Sequence, residues 1–247
     1  NFTNWIHIGG FDNVLFTPNG KLHRYLTRLA FMNLLHPFQP FIVGQKNIGP
    51  RIASKFNIPL VIYGENTSEY GSSVDENFDP VMDQKYFTSS SKDIYFGKKK
   101  INEILKETDF RINDFEPYFP LQQDEVGKKD IKVFHLGYFY KWDPQEMFYY
   151  ASENLEFKPN NERTEGTYSK YSSLDDKMDG MHYYMRYIKF GLGRCSEEAS
   201  HEIRDKHISR DEGIKLMNKY EGEFPKKYFK DFLNYLNINE KHFWKIV

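Results

Sequence analysis

The sequence predicts an α/β protein with a parallel sheet. Short β-branched runs are bounded by turn residues, helical periodicities fall between them, and polar groups gather where the runs end. The clearest run is "PLVIYG", in which Leu60, Val61, Ile62 and Tyr63 lie between Pro59 and Gly64. Its length and bounding residues read as a buried strand. "IKVF", Ile131 to Phe134, reads as a second strand, and Val14 to Phe16 as a short one near the start. Between the strands, Gly20 to His36 repeats Leu22, Leu26 and Leu29 on one helical face and stops before Pro37. Gly49 to Phe56 reads as the helix that feeds the Pro59–Tyr63 strand.

In open α/β sheets, ligands sit beyond the carboxyl ends of the strands. Two polar stretches occupy that place here. After Tyr63 come Gly64, Glu65, Asn66, Glu69, Tyr70 and Gly71; after Phe134 come His135, Gly137, Lys141 and Asp143. An ordinary polar turn is the plain alternative for each. Lys21, Arg24 and Arg28 form a basic strip on the first long helix, read as a solvated face.

Composition narrows the classes. The 247 residues carry a net charge of −1 and are 39% hydrophobic and 17% aromatic, which fits a folded globular chain and gives no field to recruit nucleic acid. Cys195 is the single cysteine, so neither an internal disulfide nor a cysteine-built zinc cage can form within these residues. A reducing cytoplasm is the expected compartment. No apolar run approaches the roughly 18 residues of a membrane span, and no secretory signal opens the sequence. It starts at Asn1 on a segment that reads as the interior of a domain, so further residues are expected upstream.

From Ser72 to Asp93 the chain turns acidic and then polar, which reads as an exposed insertion or lid. Ile101 to Leu105 reads as helical, another helix follows Pro144, and helices dominate from about Gly166. Ser209 and Glu212 form a capping box.

The most informative helix is read from Ser173 to Gly191. Met178, Met181, Met185 and Ile188 make an apolar stripe, while Asp175, Asp179, His182, Arg186 and Lys189 make a polar one. Left in water, the polar stripe is a charge ladder of small energetic weight. Lining a cleft, it holds carboxylates, an imidazole and cations suited to a sugar and a polyphosphate. "GLGRCS" has Ser196 where a dinucleotide fingerprint needs glycine and follows a helix instead of a strand. The eight histidines form no compact metal-ligand set, and Cys195 reads as a packed residue.

"IHIGGFDNVLFTPNGK", "NLLHPFQPFIVGQ", "NIPLVIYGEN" with the later "EYG", "HLGYFYKWD", "YSSLDDKMDG", "IKFGLGR" and "EIRDKHISRDEG" together resemble the N-acetyl sugar amidotransferase family. That family, of lipopolysaccharide and pseudaminic-acid type, lies within the PP-loop ATP pyrophosphatase superfamily. The resemblance implies a PP-loop parallel sheet with helices on both faces, an inserted segment and a helical carboxyl-terminal region. It divides the chain at 1–160 and 161–247, with the insertion at about 72–125. The family's Ser-Gly-Gly-Lys-Asp-Ser phosphate loop and amino-terminal cysteine pair are not among these residues and are expected upstream of Asn1, as is any zinc bound by those cysteines.

The implied reaction uses ATP and Mg2+ to adenylate the oxygen of a sugar N-acetyl amide. Ammonia then displaces AMP to leave an acetamidino sugar. The sugar is nucleotide- or lipid-linked, and the ammonia comes from a separate glutaminase with a cyclase-like companion. The resemblance casts Lys189 and Glu65 as catalytic and Gly64, Asn66, Arg194 and Arg204 as nucleotide-facing. Glu69, Tyr70, Asp175, Asp176 and His182 would read the sugar. A non-catalytic carbohydrate-binding or scaffold subunit is one alternative. A PP-loop tRNA-modifying enzyme is another, disfavoured by the near-neutral charge.

Overall fold

A computed structural model describes residues 2–64, 79–88, 94–122, 125 and 129–247. Two compact units emerge. Unit A comprises residues 17–26 and 39–142, and unit B residues 1–16, 27–38 and 143–247. Among the described residues the chain is mixed helix and strand with a small parallel sheet.

The elements of unit A begin with the first turns of α2 (Gly20–Leu34), capped by Asn19, whose Oδ1 accepts from Lys21 N at 3.0 Å. Leu22 and Leu26 are fully buried, as their helical spacing requires. Helix α3 (Gln39–Phe56) begins ten residues earlier than the sequence suggests and contains Pro50. Proline lacks the N–H that would meet the carbonyl four residues back. Tyr63 supplies the missing donor, its hydroxyl reaching Lys46 O at 2.9 Å. Gly49 makes this approach possible, since a Cβ there would lie 3.1 Å from the Tyr63 hydroxyl and 3.2 Å from Val61.

Strand β1 (Leu60–Tyr63) then runs parallel to a later strand, Lys132–His135, with Leu60 opposite Lys132 and Tyr63 opposite His135. Val61 and Val133 join Ala53, Phe87, Leu121 and Ile131 in the core of this unit. The strand reading holds, but the expectation of full burial does not. Side chains alternate along a strand, so Leu60 and Ile62 face away from α3 and remain 48% and 54% exposed. Between these strands lie a two-residue antiparallel pair, β2 (Tyr95–Phe96) and β3 (Lys99–Lys100), then α4 (Ile101–Glu107). The Lys132–His135 strand is β4. Met82 N donates to Val133 O at 2.7 Å, on β4.

Unit B opens with α1 (Phe2–His7), followed by residues without regular structure. The strand expected at Val14–Phe16 is absent: no described strand pairs with it, and all three side chains are exposed. Helix α5 (Pro144–Asn154) is capped by Asp143, which accepts from Glu146 N at 3.1 Å. Then come α6 (Asp179–Phe190), α7 (Arg194–Arg204), α8 (Arg210–Tyr220), α9 (Phe229–Leu236) and α10 (Glu240–Ile246).

Met181 and Met185 of α6 pack with Phe31, Phe232, Leu236 and Phe243. Phe31 meets Phe232 edge-on at 5.3 Å and stacks on Phe243 at 5.7 Å, the offset and T-shaped arrangements that ring quadrupoles favour. The apolar stripe thus serves the core as its spacing predicts, except that Ile188 stays 41% exposed. Ser209 and Glu212 form the expected capping box at the start of α8. No described helix is long and apolar enough to cross a membrane.

Candidate functional site: the polar side of helices α6 and α7

Helix α6 is shorter than its pattern suggests. It starts at Asp179, so Asp175 and Asp176 precede it instead of extending its polar face. The physical reason is local: the Asp176 carboxylate accepts from Met178 N at 2.6 Å, a side-chain turn that competes with helix. Burial pushes the Asp176 carboxyl up, while Asp175 is exposed.

At its other end α6 stops at Gly191, which adopts the left-handed conformation at φ 70° and donates to Tyr187 O at 2.8 Å. Two residues later the chain enters α7. A Cβ on Gly193 would meet the Glu221 carboxylate where it now sits, so any other residue there would displace that side chain. The same carboxylate accepts from Gly193 N, and from Ser196 N at 2.6 Å. "GLGRCS" is therefore a helix-to-helix turn whose first-turn amides hold a carboxylate of the chain itself. Burial raises the Glu221 carboxyl and these backbone donors oppose the rise.

Between the two helices lies a partly buried charge network. Arg186 pairs with Glu197, and Arg194 Nε donates to Glu198 Oε1 at 3.1 Å. The Arg194 guanidinium rests 4.2 Å above the Tyr183 ring centre, a cation–π contact. Tyr183 in turn donates to Glu197 at 3.3 Å. Glu198 also accepts from Thr167 and Ser172, and from Ser169 at 3.2 Å. Ser173 donates to Asp179, whose carboxyl burial pushes up against the opposing pull of Arg194.

His182 lies on the same side of α6. Its ring stacks on Phe38 at 4.7 Å and on His36 at 5.3 Å, and its Nδ1 is buried without a hydrogen-bond partner among the described residues. Burial, with His36, Arg186, Lys189 and Arg194 nearby, holds its pKa down to about 3. His36 is held to about 4 by burial and by Lys189. Both rings are therefore neutral near pH 7.

Lys189 projects from the last turn of α6, is exposed, and donates to Leu34 O at 3.2 Å. That carbonyl belongs to the end of α2, where a cation is favoured by the helix dipole. Burial lowers the lysine pKa.

The expected site residues thus separate. Asp179, His182, Arg186 and Arg194 share the polar side of α6 and α7. Arg204 stands at the opposite end of α7, ten residues and about 15 Å along the axis from Arg194. It is exposed beside His201, 3.1 Å away. Gly64 follows β1, and no described residue lies within 4 Å of where its Cβ would be. Glu65, Asn66, Glu69 and Tyr70 lie outside the described residues. Cys195 is fully buried, and burial pushes its thiol up to about 12, so it is no nucleophile at neutral pH.

Arg194, Arg204 and the α7 amides do not converge as a phosphate cradle: Arg194 is held by Glu198, Arg204 is distant, and the first-turn amides of α7 carry Glu221. Among the described residues, no group of three or more histidine, cysteine or acidic side chains is placed to hold a metal.

Glu197 and Glu198, the partners of the two arginines, and Glu221, which caps the α7 amides, are absent from the sequence expectation. For Glu197 and Glu198 a signal existed, three and four residues after Arg194 on one helix face. Glu221 lies 28 residues from Gly193 and carries no local signal.

Residues 165–247, which contain this network, match the family model described as LPS biosynthesis protein WbpG-like, C-terminal domain. Comparison with curated proteins gives no match. The family match supports a relation of this region to lipopolysaccharide-biosynthesis proteins.

Proposed function

We propose that this protein takes part in ATP-dependent amidation of an N-acetylated sugar during surface-polysaccharide biosynthesis in the cytoplasm. The observation that carries the reading is the lipopolysaccharide-related match over 165–247, the stretch that holds Asp175, Asp176, His182, Lys189, Arg194 and Arg204. In this reading the acetamido oxygen attacks the α-phosphorus of ATP and pyrophosphate leaves. Ammonia adds to the resulting imidate carbon, and AMP departs with the former amide oxygen as one proton is lost. The chemical need is plain, because an amide oxygen is a poor leaving group and a phosphate-bound oxygen a good one.

Most of the α6–α7 network is then supporting structure. Ion pairs and stacked rings hold the helix rigid, and rigid support is what a positioned site requires. Asp175, which precedes α6, and Lys189, in its last turn, are exposed and are the groups offered to ligand. Lys189 is assigned to the charge that develops on pyrophosphate, and Glu65 to magnesium or a sugar hydroxyl. The reading also requires a phosphate-binding loop, which these 247 residues do not contain in its Ser-Gly-Gly-Lys-Asp-Ser form.

A carbohydrate-binding or scaffold role is the second reading. It is favoured by the internal saturation of the network, since Glu221 fills the α7 amides and Glu198 holds Arg194.

The complete protein, supplied with ATP, Mg2+, a nucleotide-linked N-acetyl sugar and concentrated ammonium salt at alkaline pH, separates the two. AMP and pyrophosphate release that requires both sugar and ammonia supports the enzyme. Sugar binding without nucleotide turnover supports the scaffold. With glutamine in place of ammonium, turnover should require a separate glutaminase; turnover by the purified chain alone would defeat that part of the proposal.

A further inference from the structure

Unit A contains a cleft of about 210 Å3 between α3 and the Gln84–Tyr86 turn, lined by Lys46, Asn47, Lys85, Tyr86, Thr88 and Tyr95 among others. None of these residues enters the amidation reading, and the chemistry of the cleft is independent of it.

The polar groups of the cleft divide by role. Asn47 is only 7% exposed, and its Nδ2 donates to Tyr118 O at 2.8 Å. The amide is thereby fixed, with Oδ1 left as an acceptor. Thr88 is 8% exposed and its hydroxyl donates to Gln84 O at 2.7 Å, leaving its oxygen lone pairs as acceptors. Both residues line the cleft and keep an oxygen able to accept, which a ligand hydroxyl would supply with a hydrogen bond.

The rim carries the opposite requirement. Lys46 has no carboxylate within ion-pair distance among the described residues. Lys85 is 3.0 Å from Asp83 and lies 4.9 Å over the Tyr86 ring centre. Among the described residues, two ammonium groups against one carboxylate leave the rim positive, and Tyr86 and Tyr95 add aromatic walls. Acceptors within, cations at the mouth and aromatic walls describe one kind of ligand.

We infer that this cleft binds a small polyhydroxylated anion, a sugar phosphate or a sugar acid. The hydroxyls donate to Asn47 and Thr88, the anionic group meets Lys46 and Lys85, and the ring lies against Tyr86 or Tyr95. The volume suits a single ring and is below the usual range for drug-sized ligands.

Isothermal titration of the complete protein with glucose 6-phosphate, glucuronate, glucose and inorganic phosphate tests this. At least one charged sugar should bind saturably, and which one names the anionic group. Glucose and inorganic phosphate should each bind at least about tenfold more weakly, since each lacks half of the recognised features. Lys46→Met should weaken the charged sugar by about tenfold, and Lys85→Met should do so with a smaller effect because Asp83 already shares that cation. Lys46 is exposed on α3, so the melting temperature of its variant should match the parent and loss of folding cannot explain the change. The inference is overturned if neither charged sugar binds saturably, if glucose binds as tightly as they do, or if folded Lys46→Met binds like the parent.

Discussion

The polar side of α6 and α7 in unit B and the cleft beside α3 in unit A both concentrate charge, yet they use it in opposite ways. In the first, each arginine has a carboxylate from the neighbouring helix turn, and a third carboxylate caps the α7 amides. In the second, buried polar residues that keep acceptor oxygens and two lysines line one cleft. A charged stripe on a helix therefore identifies a polar face and leaves its purpose to partners distant in sequence. Density of charge alone would rank the α6–α7 side first. Whether those charges are already satisfied reverses the order for direct ligand contact and makes most of that network a support.

Breaking the network should have the largest effect. Arg194 is 19% exposed in its side chain, and Glu197 and Glu198 are 11% and 15% exposed. Arg194→Met leaves the shielded Glu198 without its cation, while Glu197 keeps Arg186, with an expected loss of about 2–4 kcal/mol in denaturant unfolding. A loss below about 1 kcal/mol, the level of an exposed pair, would return this region to a solvated ladder.

Glu221→Gln should follow, at about 1–2 kcal/mol, because the charge-assisted bonds to Gly193 N and Ser196 N weaken while the shape is kept. Amide exchange in the first turn of α7 should rise with it. Unchanged exchange at Ser196 would show that the carboxylate does not hold this turn.

The stacked histidines give a pH signature. His182 and His36 titrate near 3 and 4 in the folded protein, against 6.5 for the free side chain. Between those limits the unfolded chain binds protons that the folded chain refuses. Their contribution is therefore complete above about pH 6.5 and declines as pH falls toward 4 and then 3. The raised carboxyls of Asp176, Asp179 and Glu221 slope the other way, so the informative quantity is a difference between proteins. His182→Phe keeps a ring against Phe38 and removes the titrating group. Its stability should gain on the parent by up to about 1.4 kcal/mol per pH unit below 6.5. Parallel melting curves from pH 7 to 5 would contradict a neutral His182.

How much of this was legible in the sequence depends on the range of the interaction. The β1 and β4 runs, α2 and the Ser209 capping box were all readable, because their signals lie within a few residues. The early start of α3 was not, since Pro50 argues against a helix and its compensation comes from Tyr63, across the chain. The full burial expected of β1 failed because a strand's composition does not reveal how many of its faces are covered. At the site, the positions of Asp179, His182 and Arg186 on one side of α6 were legible from spacing. That Asp176 folds back on Met178 was legible only in hindsight, and the role of Glu221 not at all.

If the polar side of α6 is rigid support that presents Lys189 to developing charge, removing that one cation should impair the chemistry and spare the fold. Steady-state kinetics of Lys189→Met in the complete protein, with ammonium, ATP and sugar, put this to the test. The lysine's bond to Leu34 O caps α2 from an exposed position, so stability should change by less than about 1 kcal/mol. The value of kcat should fall by roughly 10²-fold or more, with the KM for sugar moving much less. An unchanged kcat in a variant that melts like the parent would refute the assignment and leave Lys189 as a helix cap alone.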